Sequence, residues 1–122
     1  MRPTAAQWYC LAAGSLLLIR GVTVLIADPD FATPGEGWHA AFHLASGIPL
    51  LVAFFIPGIA RGAVAAFAAV YGVLTLVGLA SMGDIAGVIP IDARDSLVHG
   101  AYVAAALVVL VAPGRRVPAP SR

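Results

Sequence analysis

A chain of 122 residues in which 61% are hydrophobic and only 11% charged is long enough for one domain and too apolar for a soluble one. The formal net charge of +1 is uninformative, but no basic patch with interleaved aromatics exists, so no nucleic-acid partner is expected. Cys10 is the single cysteine, which excludes an internal disulfide and a thiolate-rich metal site.

Roughly 20 apolar residues in a helix cross the ~30 Å hydrocarbon layer, and the sequence offers four such runs, predicted as helices over about 7–27, 34–57, 62–82 and 93–112. They are apolar all round, without the alternation of a transmembrane barrel. The fold class expected is all-α: one membrane domain over 1–122, an antiparallel up-down four-helix transmembrane bundle surrounded by membrane lipids. Arg2, Arg61, Arg115, Arg116 and Arg122 fall at the two ends and in the middle link, whereas Asp28, Asp30, Glu36, Asp84, Asp92 and Asp95 fall in the other two links. By the positive-inside bias, the N and C termini are then cytoplasmic and the protein is multi-pass in the cell (cytoplasmic) membrane. Arginine without lysine points to a GC-rich bacterial genome.

The first span stops at Asp28-Pro29, because proline cannot continue a helix. Gly14 and Gly21 lie on nearly one face, where another backbone can approach. Arg20 sits about 10 Å below the end of that span, and is expected either to snorkel to the outer interface or to find an acidic partner, with Asp95, Glu36 and Asp84 the candidates in that order. Thr33-Pro34-Gly35-Glu36 reads as a capping box that starts the second helix near Pro34. Pro49 leaves the Ala45 carbonyl without its helical donor and predicts a bend beside Ser46 and Gly47.

Pro57-Gly58 is expected to end the second span, with a short link through Arg61-Gly62 making a tight hairpin to the third. In that third span Ala65, Ala68, Ala69 and Gly72 follow small-xxx-small spacing, and Tyr71 reads as a packing residue, with a hydrogen bond across helices as the alternative. Val88-Ile89-Pro90-Ile91 is apolar enough to lie over the bundle as a lid. Asp92 is expected to cap the fourth helix, with Asp95 at its third position. Residues 113–122 read as a disordered basic cytoplasmic tail.

The second and fourth helices both start at the same face of the membrane. Their early polar residues therefore share a depth: His39 and His43 at i and i+4, and Asp95 and His99 likewise. With Glu36 and Arg20 they form a candidate polar cluster of Arg20, Glu36, His39, His43, Asp95 and His99. Paired imidazoles on one helix face, with a third held by a carboxylate, suit a transition metal better than calcium or magnesium. The metal ligands would be His39, His43 and His99. No GxSxG, HExxH or phosphate-binding glycine loop is present, so no enzyme and no catalytic residue is expected.

Glu36-Gly37-Trp38-His39-Ala40-Ala41-Phe42-His43 with Gly47 resembles a pattern N-x-x-H-N-x-x-H-x-x-x-G. Pro90-Ile91-Asp92-Ala93-Arg94-Asp95 with His99 resembles P-x-N-x-x-D-x-x-x-H. Both patterns mark a family of small four-span bacterial, largely actinobacterial, integral membrane proteins catalogued as a domain of unknown function. The likeness covers most of residues 7 to 112, with Glu36, Ala40 and Asp92 standing where the pattern has asparagine. It implies topology and location, and no mechanism.

The function expected from sequence is therefore an integral membrane protein of unknown activity, structural or accessory and without a cofactor, whose polar cluster fixes helix register. The alternative is a metal- or haem-binding membrane protein using His39, His43 and His99. A further alternative is a proton-linked transporter or pH sensor. Small-residue faces leave room for a homo-oligomer or an unidentified membrane partner.

Overall fold

A computed structural model describes residues 2–81 and 83–112; the expected basic tail over 113–122 lies outside the described residues. The chain forms α1 (Ala5–Ala27), α2 (Glu36–Phe55), α3 (Pro57–Ser81), a two-stranded hairpin of β1 (Asp84–Ile85) and β2 (Ile89–Pro90), and α4 (Ala93–Val111). All four helices are long and apolar enough to cross a membrane. Large apolar side chains such as Ile26, Phe55, Leu76 and Val111 are exposed all around the bundle, the surface a lipid-facing protein presents.

Helix boundaries differ from expectation in three places, each for a local reason. α1 starts earlier, at Ala5, because Thr4 and Gln7 form a capping box that the sequence reading passed over. α2 starts later, at Glu36, with Gly35 as its N-cap and no side-chain cap. Thr33 therefore does not cap it. The amides in question go to backbone carbonyls instead: Gly35 N–H donates to Val88 O and Gly37 N–H to Asp30 O. This crowding explains the glycines, since a Cβ on Gly35 or Gly37 would stand 2.6 Å from Asp30 O.

The third difference is at Pro57, which opens α3 rather than closing α2. Its missing N–H costs nothing in the first turn of a helix. Only Ile56 separates the two helices, and Arg61, expected in a link, lies within α3 and donates to Leu110 O of α4.

α1 packs mainly on α2, and α3 mainly on α4. The first pair is close because Gly14 and Gly47 fit each other: a Cβ on either would stand 3.0 Å from the other's carbonyl oxygen. Gly21 similarly lies against Ala40 O and Leu44. The small residues of α3 behave otherwise. Ala65 and Ala69 are exposed, while Val64, Phe67, Ala68, Tyr71 and Gly78 are buried; an alanine face is indifferent to lipid or protein, and the two aromatic side chains of α3 take the packed side.

The core runs through Cys10, Leu17, Leu50, Val64, Phe67, Tyr71 and Ala106. Beside Pro49 a groove of about 300 Å³ opens between α2 and α3. The β hairpin joins the end of α3 to the start of α4. Its turn carries Ala86 and Gly87 at positive φ, and Val88 ties it to the α1–α2 loop through Gly35. This hairpin end of the bundle holds the polar residues.

Candidate functional site: three buried imidazoles

The site is built by two helix starts. Along α2, His39 and His43 fall one turn apart on the buried face, at 2% and 6% exposure, with ring centroids 4.5 Å apart. Along α4, Asp92 caps the helix and accepts from Asp95 N–H at 2.7 Å, while Asp95 accepts from Asp92 N–H at 3.3 Å. That reciprocal box holds the first turn in register. One turn beyond Asp95 stands His99, at 3% exposure.

The rings then meet. His43 Nε2 lies 3.4 Å from His99 Nε2, and one nitrogen from each of His39, His43 and His99 falls within 4.8 Å of the others. Glu36 Oε2 stands 3.6 Å from His39 Nδ1, close enough to fix a charge beside the ring and too far for a hydrogen bond. Tyr71 of α3 sets its ring edge-on to His99 at 5.0 Å and shares a 2.7 Å hydrogen bond with Ser46 of α2. Ser46 also reaches Phe42 O at 2.8 Å, so this hydroxyl pair closes the site from below.

Two members of the expected cluster are placed differently. Asp95 does not hold His99: its carboxylate is turned back into the helix cap, and His99 Nδ1 has no partner. Arg20 is exposed and, among the described residues, forms no ion pair with Asp95, Glu36 or Asp84. It lines a cleft of about 620 Å³ together with Glu36, Asp92, Asp95, His43 and His99.

Tyr71, for which packing and a hydrogen bond across helices were alternatives, does both: it stacks on Phe67 at 4.1 Å and bonds to Ser46. Ser96 was missed altogether. It is 1% exposed with an unpartnered Oγ, and Gly78 makes room for it, since a Cβ there would come within 2.7 Å of that oxygen. The only sequence signal was its spacing, one turn before His99 on the same face.

Three ring nitrogens carry the chemical content of the site. His39 Nε2, His43 Nδ1 and His99 Nδ1 are buried without a hydrogen-bond partner. Leaving a buried polar atom unsatisfied costs about 1–3 kcal/mol, and here each of the three rings carries one. Three imidazoles converging in this way are the donor set of a transition-metal centre.

Four apolar helices with a polar centre at one end define a multi-pass helical membrane protein. Within that class, residues 31–112 match the family model described as Domain of unknown function (DUF4383), and the chain belongs to this family. The matched segment contains all three histidines and leaves out α1 with Arg20, so it is shorter than the likeness read from the motifs. No curated protein and no solved structure matches the chain.

Proposed function

We propose that this is a metal-binding protein of the cytoplasmic membrane, holding one transition-metal ion on His39, His43 and His99. What carries the reading is the convergence of the three rings, one nitrogen from each lying within 4.8 Å of the others. An ion would sit between the facing Nε2 atoms of His43 and His99. Two nitrogens each about 2.0–2.1 Å from a tetrahedral ion stand roughly 3.3–3.4 Å apart, and the His43–His99 pair stands at 3.4 Å. The third ring reaches an ion there by side-chain rotation.

Nitrogen donors without thiolate favour zinc, copper or non-haem iron. Haem on His43 and His99 is disfavoured, because a porphyrin plane has to pass between two nitrogens that already nearly touch. The arginine distribution supports placing both termini in the cytoplasm and the site at the extracytoplasmic end.

The test is to purify the protein in mild detergent and measure its metal content and absorbance, beside His43→Ala and His99→Ala. About one equivalent of metal in the wild type, lost in both variants, supports the proposal. A metal-free wild type that takes up no zinc, copper or iron on addition contradicts it.

A further inference from the structure

The cleft of about 620 Å³ between α1 and α4 is far larger than a metal ion needs and lies within the range of small-molecule sites, roughly 300–1,000 Å³. It exists because α1 packs mainly on α2 and α4 mainly on α3, leaving the seam between α1 and α4 weakly closed. Its walls are of two kinds. Leu16, Ile19 and Val98 are apolar, and Arg20 and Arg94 are cationic.

Three carboxylates share the cleft, but each is engaged. Asp92 and Asp95 accept each other's backbone amides, and Glu36 stands against His39. Arg20 has no acidic partner among the described residues, although it lies about 10 Å inside α1, where an arginine without one is costly. The buried, unpartnered His99 Nδ1 belongs to a ring of the same cleft. The arrangement is an apolar trough with a free cation beside a polar floor, opening at a helix seam that faces lipid.

We propose that this cleft binds a membrane amphiphile with a singly charged anionic head, the head paired with Arg20 beside His99 and the tail laid along Leu16, Ile19 and Val98. This goes beyond the metal reading and does not require it. Arg20 supplies charge-assisted hydrogen bonds, and Arg94 adds a second positive charge. The engaged carboxylates disfavour a multiply charged anion. The lipid source is favoured over a free anion because most of the lining surface of the cleft is apolar.

The experiment is equilibrium binding of radiolabelled oleate to the purified protein in a neutral detergent, compared with oleyl alcohol, acetate and inorganic phosphate. Saturable one-to-one binding of oleate is expected, about tenfold weaker for oleyl alcohol and for Arg20→Gln, and kept within about threefold by Arg20→Lys. Val98→Trp, which fills the tail wall, is expected to weaken oleate equally while leaving Arg20 in place. Helical circular dichroism and monodisperse elution verify that each variant is folded; if Arg20→Gln fails this check, oleyl alcohol and Val98→Trp decide. Oleate binding that is absent, or indifferent to both the head group and these variants, overturns the proposal. Competition by acetate or phosphate at the same concentrations assigns the cleft to a free anion and overturns it too. Metal content is read separately on the same samples, so either reading can fail alone.

Discussion

His43 Nε2 and His99 Nε2 stand 3.4 Å apart although no Cα of α2 comes within 8 Å of a Cα of α4. The two helices are the unpaired diagonal of the bundle, α1 and α3 being the elements that pack against both. Only side chains as long as imidazole bridge that gap, and they do so from the first turns of two helices that enter the membrane at the same end. The histidines thus join α2 directly to α4, which are otherwise connected through α1 and α3.

Tyr71→Phe removes the 2.7 Å hydrogen bond to Ser46 and leaves Ser46 its bond to Phe42 O. Because the serine keeps a partner, the expected loss is only about 0.6 kcal/mol, a usual value for interhelical hydrogen bonds in membranes. Reversible unfolding in mixed detergent measures it. A loss of several kcal/mol would show that this hydroxyl supports the imidazoles above it.

Gly14→Leu and Gly47→Leu each push a side chain into a backbone carbonyl that cannot move aside, so each is expected to destabilise by roughly 1–3 kcal/mol. The double variant should lose less than the sum, since either change alone already separates α1 from α2. Gly62→Ala is the contrast. It lies within α3 with nothing near its would-be Cβ, and is expected to stabilise by about 0.5–1 kcal/mol. Melting temperatures in detergent report all four.

Asp92 caps α4 from outside the span, and the backbone amide of Asp95 holds its carboxyl below the usual aspartate range. A depressed folded value means that the stabilising contribution is complete above the unfolded pKa and is lost as pH falls through the folded one. Asp92→Ala is therefore expected to melt lower than wild type by a constant amount above about pH 5, and the gap should close below roughly pH 4. Thermal melts across that range verify the sign; a gap that widens on acidification contradicts it.

Metal affinity should move the same way for a different reason. Imidazole binds a metal only when neutral, so protons compete with the ion. Zinc affinity measured by competition with a chelator is therefore expected to fall as the pH is lowered. An affinity independent of pH would place the ion on other ligands.

The sequence made the four spans legible because each is a run of apolar residues of membrane length, and it made the α4 cap legible because Asp92 and Asp95 are three residues apart. Thr33 and Glu36 have the same spacing and did not form a cap. The neighbouring amides of Gly37 and Gly35 go instead to Asp30 O and Val88 O, the second more than 50 residues from its donor, and no local pattern carries that. Pro57 is ambiguous in principle, since proline both stops a helix and starts one.

The candidate site divides in the same way. His39 with His43 follows from helical periodicity, and the approach of His99 follows once α2 and α4 start at the same end. The placement of Asp95 does not follow, because its carboxylate had two local uses and the structure shows the cap. Nor does that of Arg20, whose expected acidic partners are occupied elsewhere.

The measurement that bears most directly on the three-imidazole centre is X-ray absorption at the zinc edge, on protein reconstituted with one equivalent of Zn(II). Three histidine nitrogens at about 2.0–2.1 Å, with the multiple-scattering pattern of imidazole, are expected, falling to two in His99→Ala. A shell of oxygen neighbours alone, unchanged by that substitution, would contradict the account.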